Sequence, residues 1–209
     1  GKTAGFTLPL LQRLSKTSNT KGKSPIRALI ITPTRELAAQ VNESINKYGS
    51  HLPLKSKAIY GGVKINPQKE QLRMGIDILV STPGRLRDHI GQNSVDLSKI
   101  EIFVLDEADR MLDMGFMPDV KKIIQKCPDK RHTSLFSATI PPIIETLIQW
   151  AMKDPETVEI GMRRSVAETI SHAVYPVAFD QKDELVRVLL GKVDFDSVIV
   201  FCRTKVGAV

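Results

Sequence analysis

Short apolar runs rich in β-branched residues recur along the chain, and each leads into a polar or helix-forming segment. The runs are ALIITP (28–33), KAIYGG (57–62), DILVSTP (77–83), IFVLDEAD (102–109) and TSLFSAT (133–139). Between the first two, RELAAQVNESINKYG (35–49) has helical periodicity, with Leu37, Val41 and Ile45 on one face. Alternating strands and helices predict an α/β fold with a mostly parallel sheet. Because the runs are almost wholly apolar, we expect helices to cover both faces of that sheet.

The rhythm of strands and helices breaks down after Ile160 and resumes later. GMRRSVAETISHAVYPV (161–177) lacks it, whereas DQKDELVRVLLGKVDFDSVIVFC (180–202) has the pattern of a helix followed by a strand. We therefore predict a first domain over 1–160, a linker over 161–175 and the beginning of a second domain over 176–209. The chain starts with Gly1 and stops inside an apparent element, so it is expected to be a fragment cut at both ends.

The net charge indicates the kind of binding partner, and the cysteine content indicates the cellular compartment. Thirty Lys and Arg against 23 Asp and Glu give a formal charge of +7, which favours a polyanionic partner such as nucleic acid. The two cysteines are far apart, and neither they nor the four histidines form a metal-ligand pattern. No apolar run is long enough for a membrane span, and no signal peptide is evident. These features predict a protein of the reduced cytoplasm without a membrane partner.

Three carboxylates, Asp106, Glu107 and Asp109, crowd the end of one apolar run. Either they form the acidic first turn of a helix, or a strong positive charge is held against them. GKT at the start of the chain matches the end of the phosphate-binding pattern G-x-x-x-x-G-K-[ST]. In such a loop Lys2 neutralises phosphate oxygens and Thr3 ligates Mg²⁺, while a strand-end Asp completes the metal site. Polar residues also follow the other runs, as expected of the ligand-binding edge of an open sheet.

Taken in order, the motifs GKTAGFTLPLL, PTRELAAQ, TPGRL and DEADRMLDMGF resemble those of the DEAD-box ATP-dependent RNA helicases, closest to the bacterial RhlE-like branch. The resemblance runs along nearly the whole chain. It implies a RecA-like P-loop NTPase domain followed by the start of a second RecA-like domain. It also implies a protein that uses ATP and Mg²⁺ to unwind or remodel RNA, with largely sequence-independent contacts to RNA.

The resemblance assigns roles to the residues of the nucleotide site. Catalysis falls to Glu107, Asp106 and Lys2, and the metal ligands are Thr3 and Asp106. Nucleotide binding involves Gly1, Lys2, Thr3, Asp106 and Glu107. Asp109, Ser137 and Thr139 would couple the nucleotide state to the grip on RNA.

The resemblance also assigns a set of residues to the RNA backbone. They are Pro33, Thr34, Arg35, Gly61, Gly62, Thr82, Pro83, Gly84, Arg85, Arg203 and Thr204. Other interpretations stay open for several of them. Thr34 could cap a helix, the glycine pair could be an ordinary turn, and Arg85 either contacts RNA or braces its loop. Around Arg203 the alternative is a buried strand followed by a basic turn.

Two other functions compete with an RNA helicase. One is a helicase of the same superfamily that acts on DNA, and the other is an RNA-binding scaffold that has lost hydrolysis. The motif that supplies an arginine finger would lie beyond Val209, and such a finger is worth about 10³–10⁵ in rate. The fragment alone is therefore expected to hydrolyse ATP poorly or not at all.

Overall fold

Five short strands form one parallel sheet in the computed structural model, which describes residues 1–17, 24–160, 171, 173–192, 196–202 and 204. The strands are β1 (Ala28–Ile31), β2 (Ser56–Ile59), β3 (Ile78–Ser81), β4 (Ile102–Leu105) and β5 (His132–Leu135). Their spatial order is β2-β3-β1-β4-β5, and each neighbouring pair is parallel. The α/β class and the parallel sheet predicted from the sequence are confirmed.

Among the described residues of 1–157 there are seven helices, one before β1 and at least one after each strand. They are α1 (Lys2–Lys16), α2 (Arg35–Tyr48), α3 (Ile65–Arg73), α4 (Pro83–Gly91), α5 (Ala108–Asp113), α6 (Met117–Ile124) and α7 (Pro142–Ala151). Proline lies in the first turn of α4, α6 and α7, where its missing N–H breaks no helical hydrogen bond. Residues that look like helix breakers therefore fix where these helices start.

The two faces of the sheet build two separate apolar cores. Successive strand residues point to opposite faces, so Ala28 and Ile30 join α1 and α2 on one side, while Leu29 and Ile31 join α3 to α7 on the other. Strands β1, β3 and β4 are buried along their whole length. This accounts for their unbroken apolar sequence and confirms that helices cover both faces.

The chain divides into two compact units, Gly1–Thr157 and Val158–Val209. In the second unit the structure has a short 3-10 turn (Phe179–Gln181) and helix α8 (Lys182–Lys192). Residues 161–170 and 172 of the predicted linker lie outside the described residues. The domain boundaries and the identity of the second unit therefore stay predictions.

The prediction of a strand at 198–202 is wrong, because the structure has no strand among these residues. Residues 198–202 form no hydrogen-bonded strand, and Ile199 and Phe201 are 78% and 92% exposed. The physical reason is that a β-strand exists only by pairing with a neighbour, and none of the described residues pairs with this stretch. The apolar sequence indicates β propensity but cannot supply the partner.

Among the described residues no helix combines the length and the apolar character that crossing a lipid bilayer requires.

Phe103 offers a test of the core. Its side chain is fully buried in the middle of β4, with the Arg131 guanidinium 5.8 Å from its ring centroid. We expect Phe103→Ala to lower the free energy of unfolding by about 3–5 kcal/mol, because it leaves a cavity beneath several helices. Urea denaturation followed by circular dichroism measures this. Met74→Ala, at a side chain 67% exposed, is the control and should change it by less than about 0.5 kcal/mol. Equal effects would contradict the assigned core.

Candidate functional site

The residues singled out by sequence follow the strands, and because all five strands are parallel they gather at one edge of the sheet. They come after β1 (33–35), β2 (61–62), β3 (82–85), β4 (106–109) and β5 (137–139). Strands β1 and β4 are neighbours at the centre, and the chain places β2 and β3 to one side and β5 to the other. Such a reversal of strand order opens a crevice at the carboxyl ends, where open α/β sheets bind ligands.

Asp106 is the buried carboxylate at the centre of this edge. It is 4% exposed, and its backbone N–H donates to the Ile31 carbonyl at 3.0 Å, which extends the β1–β4 pairing past the strand. Burial first, and then the neighbouring charge of Glu107, raise the pKa of Asp106 to about 6. A hydrogen bond from the Glu107 backbone and the positive charge of Lys2 act in the opposite direction. Lys2 and Asp106 therefore share one electrostatic environment, although they are 104 residues apart in sequence.

Helix α1 points its amino end into the same region. Gly1 is its N-cap and Lys2 its first residue, and the helical hydrogen bonds begin with the Gly5 N–H donating to the Gly1 carbonyl at 3.1 Å. The N–H groups of the first turn therefore have no partner within the helix. Together with the helix dipole and the Lys2 ammonium, they form the arrangement that binds phosphate groups.

Glu107 has an unusual backbone that sequence reasoning did not anticipate. Its φ and ψ are both 54°, in the left-handed region, which costs a non-glycine residue on the order of 1–3 kcal/mol. The next residue helps to hold this turn, because the Ala108 N–H donates to the Phe136 carbonyl at 3.1 Å. The Glu107 carboxylate is partly exposed, with the Arg110 guanidinium 3.4 Å from Oε2. At this turn the buried Asp106 is followed directly by a Glu107 side chain that is 37% exposed.

The motif after β5 is tied to the helix that follows β4. Oδ2 of Asp109 accepts hydrogen bonds from the Thr139 hydroxyl at 3.0 Å, the Thr139 N–H at 2.9 Å and the Ala138 N–H at 3.2 Å. In return, the Asp109 N–H donates to Ser137 Oγ at 3.1 Å. Burial alone would raise the pKa of Asp109, but these hydrogen bonds, chiefly from Thr139, lower it. The three residues that the family resemblance groups together are thus in contact, and their role in coupling stays a prediction.

An aromatic pair that the sequence analysis missed joins the same motif to helix α1. The rings of Phe6 and Phe136 lie with their centroids 5.2 Å apart at 53°. Phe136 directly precedes Ser137, and its own N–H donates to the Leu105 carbonyl at 2.8 Å. Helix α1 and the segment that directly follows β5 are therefore packed against each other. Apolar residues at these positions were visible in the sequence, but their pairing depends on the fold.

The donors at this edge suit magnesium. Among the described residues no group of three or more His, Cys, Asp and Glu is arranged to hold a metal. Mg²⁺ does not require one, since it usually binds through one or two carboxylates together with water and substrate phosphates. Asp106 is a buried carboxylate whose ionised form burial disfavours, so a cation beside it would restore the charge. The half-buried Thr3 adds an oxygen donor at the start of α1.

The turn after β1 meets the glycine pair after β2. Thr34 caps α2 by accepting from the Leu37 N–H at 3.3 Å, while Pro33 is buried and Arg35 is exposed in an ion pair with Glu36 at 2.6 Å. Gly62 has φ +82°, and a Cβ built there would lie 3.1 Å from Nη1 of Arg35. Thr34 therefore does cap α2, and the positive φ at residue 62 favours glycine there.

The residues after β3 divide between surface and interior. Thr82 and Gly84 are partly exposed at the start of α4, and Pro83 is buried. The side chain of Arg85 is only 11% exposed, and its Nη2 donates to the Val63 carbonyl at 2.9 Å. Of the two candidates after residue 202, Arg203 lies outside the described residues. Thr204 is exposed in the second unit, and its role stays a prediction.

The first unit matches a known protein family over most of its length. The family model for the DEAD/DEAH box helicase covers residues 1–147. The chain is 42% identical over 205 residues to "ATP-dependent RNA helicase CshA" of Limosilactobacillus reuteri. This alignment covers 98% of this chain and 40% of that protein. It is 44% identical over 206 residues to "ATP-dependent RNA helicase DeaD" of Mycobacterium tuberculosis, and this alignment covers 98% of this chain and 35% of that protein. The chain thus spans about two fifths or less of the length of these relatives.

The fold is also that of solved relatives. The structure of a DEAD box protein from the hyperthermophile Methanococcus jannaschii is similar, with a TM-score of 0.68 and 43% sequence identity. The match covers 74% of this chain and 40% of the other. The RecA-like fold predicted for the first unit is therefore confirmed.

The raised pKa of Asp106 predicts a penalty on stability that depends on pH. The ordinary pKa is 3.8 and the folded value is about 6, so the folded state binds the proton more tightly. The ionised form then costs stability as pH rises through this window, and the cost is complete above pH 6. Without a divalent cation at pH 7.5, we expect Asp106→Asn to raise the free energy of unfolding by about 1–3 kcal/mol.

This gain should vanish near pH 4, where Asp106 is largely protonated in the folded protein. Thermal and urea denaturation at the two pH values measure the difference. Asp113→Asn, at an exposed carboxylate on α5, is the matched control and should be nearly neutral at both. A loss of stability at pH 7.5 in the Asp106 variant would contradict the assigned burial cost.

Proposed function

Because this chain belongs to the DEAD/DEAH box helicase family, we propose that the protein it comes from is a DEAD-box ATP-dependent RNA helicase. The observation that carries the proposal is the shared environment of Lys2 and Asp106 at the amino end of α1. A cation on one side and a buried carboxylate on the other are what a magnesium-bound triphosphate requires. The assignment to the RhlE-like branch stays a prediction.

The nucleotide would bind at the amino end of α1. The first-turn N–H groups and Lys2 would hold the phosphates, and Gly1 lets the backbone approach them without a side chain. Asp106 and Thr3 would hold Mg²⁺, which when bound neutralises the charge that develops on the phosphate oxygens. Glu107 would orient the attacking water and accept its proton, since its partly exposed carboxylate directly follows Asp106.

Nucleotide binding would reach the RNA side through the hydrogen bonds of Asp109. This carboxylate belongs to the helix that begins beside Glu107, and its partners Ser137 and Thr139 follow the next strand. A movement of the turn around Glu107 would displace both motifs together, because four hydrogen bonds join them. The Phe6–Phe136 contact adds the phosphate-binding helix to the same unit.

RNA would lie along the turns after β1, β2 and β3. Arg35 is exposed there, and the turns carry exposed backbone at Gly62 and partly exposed backbone at Gly61 and Gly84. Contacts of this kind go to phosphates and sugars, so affinity should depend little on base sequence. Preference for RNA over DNA would come from the 2′-OH. The formal charge of +7 supports a polyanionic partner.

The proposal includes a cytoplasmic location and an identity for the second unit. Both cysteines, Cys127 and Cys202, are free, and burial raises the pKa of the Cys127 thiol to about 11, as in a structural rather than reactive cysteine. Free thiols are usual in a reducing compartment. The second unit, 158–209, would be the beginning of a second RecA-like domain.

Glu107→Gln in the full-length protein tests the catalytic assignment. The amide keeps the size of the side chain but cannot accept a proton from water. We therefore expect ATP affinity to stay near wild type while kcat falls by about 10²–10⁴. Equilibrium binding of a fluorescent ATP analogue and steady-state phosphate release measure the two quantities. Glu43→Gln, at an exposed position on α2, is the matched control, and undiminished hydrolysis by the Glu107 variant would contradict the assigned base.

The nucleic-acid partner is tested by ATPase assays of the full-length protein with poly(U) and with poly(dT) of the same length. We expect strong stimulation by poly(U) and little by poly(dT), since the 2′-OH is what distinguishes the two backbones. Equal stimulation by both would favour a helicase that also acts on DNA. Binding of RNA without any hydrolysis would favour the scaffold.

A further inference from the structure

A small buried polar cluster lies beneath the glycine turn that follows β2. It consists of Gln68 on α3, Arg85 and His89 on α4, and Ser94 just after α4, and we call it the Gln68 cluster. Gln68 is 6% exposed and His89 is fully buried. Polar side chains at such depth are costly unless they are hydrogen-bonded. The described structure satisfies them through one another and through the backbone of residues 60–63.

The orientation of the Gln68 amide follows from its neighbours. Arg85 can only donate hydrogen bonds, and its Nη1 lies 3.1 Å from Oε1 of Gln68. The other end of the amide, Nε2, then faces the Tyr60 carbonyl and donates to it at 3.1 Å. Gln68 therefore uses its acceptor to hold Arg85 and its donor to hold the start of the glycine turn.

Arg85 holds the other end of the same turn. Its Nη2 donates to the Val63 carbonyl at 2.9 Å, while Nε lies 3.9 Å from Asp88. The carbonyls of Tyr60 and Val63 flank the glycine pair, so the two side chains fix both ends of the turn. Two of the five N–H donors of Arg85 are thus used within the protein, and its side chain is only 11% exposed.

His89 makes a further contact with the side-chain oxygen of Gln68. Its Nε2 lies 3.3 Å from Gln68 Oε1, an acceptor, so Nε2 must carry the proton, and Nδ1 lies 2.8 Å from the Ser94 hydroxyl. Burial first, and then the positive charges of Arg85 and Lys69, lower the pKa of His89. The imidazole is therefore neutral at physiological pH and adds a second donor to the Gln68 carbonyl oxygen.

We propose that Gln68 and Arg85 are positioning residues for RNA binding, which act by fixing the turn 60–63 rather than by touching RNA. Gly62, with φ +82°, lies within this turn, and a Cβ built on it would lie 3.1 Å from Nη1 of Arg35. Holding the turn therefore places both the glycine backbone and the exposed Arg35 guanidinium for the phosphate chain. This inference rests on the function proposed above, and it assigns Arg85 the bracing role that the sequence left open.

Salt dependence separates bracing from direct contact. Each phosphate neutralised on a single strand contributes about −0.7 to the slope of log affinity against log salt concentration. If Arg85 braces the turn, Arg85→Ala should weaken poly(U) binding by the full-length protein about three- to tenfold, as expected for loss of a buried hydrogen-bonding group, without changing the slope. Gln68→Ala removes no charge and should have an effect of the same size.

Conservative variants sharpen the test and protect it against unfolding. Arg85→Lys keeps the charge but cannot reach Gln68 and Val63 together, so it should weaken RNA binding nearly as much as Arg85→Ala. Gln68→Glu keeps an acceptor for Arg85 but has no donor for the Tyr60 carbonyl, so it should also weaken binding. All variants should keep the wild-type affinity for ATP and the wild-type kcat at saturating RNA, and these readouts also show that the protein is folded.

Arg87→Ala is the matched control. Arg87 lies two residues from Arg85 on the same helix, is 53% exposed and pairs with Asp119 on α6 at 3.0 Å, away from the turn. Its removal should leave the half-saturating RNA concentration near wild type.

Two results would overturn the positioning role. One is a slope shallower by about 0.7 in Arg85→Ala with RNA binding preserved in Arg85→Lys, which is direct phosphate contact. The other is unchanged RNA binding in both Gln68 variants. Failure of the wild-type protein to bind RNA at all would instead overturn the proposed function, and this inference with it.

Discussion

The buried carboxylate of Asp106, directly after strand β4, is the feature on which this edge of the sheet depends. Asp106 continues the pairing of β4 with β1 through its backbone, and its side chain is buried. The resulting pKa of about 6 means that the charge is tolerated only at a cost, and the ammonium of Lys2 offsets part of it. In the function proposed above, a cation bound to an anionic ligand would complete this site. The left-handed turn at Glu107 is the backbone strain that accompanies this arrangement.

The two sides of the edge are held by different kinds of interaction. On the β4–β5 side, Asp109 is ionised and receives three hydrogen bonds from the segment after β5, so a charged group joins two motifs. On the β2–β3 side, the Gln68 cluster joins two turns through an amide, a neutral imidazole and a guanidinium that is almost fully buried. In both arrangements the side-chain hydrogen bonds join one element of the fold to another. Both therefore position loops whose own sequences are short and rich in glycine and proline.

The first unit has the fold that the family resemblance implies, whereas one strand predicted from the sequence of the second unit is absent among the described residues. Helix α8 forms where the sequence predicts a helix, but the apolar stretch 198–202 has no neighbouring strand and stays exposed among the described residues. The contrast with β1 is instructive, since its sequence ALII is no more apolar than VIVF. Ala28–Ile31 is buried because β3 and β4 pair with it on both sides. Pairing partners, rather than propensity, decide whether such a run becomes a strand.

The sequence by itself determined the class of fold, the five strands of the first unit and the edge at which the functional residues gather. These follow from local information: unbroken β-branched runs require burial on both faces, and the carboxyl ends of parallel strands share one edge. It also pointed to Asp106, Glu107 and Lys2, because three carboxylates close together need a counter-charge. Only the tertiary structure decided the left-handed backbone of Glu107, the Phe6–Phe136 contact and the bracing of the glycine turn by Gln68 and Arg85. Those features depend on distances between residues far apart in the chain, and such distances are set by how helices pack on the sheet rather than by any local pattern.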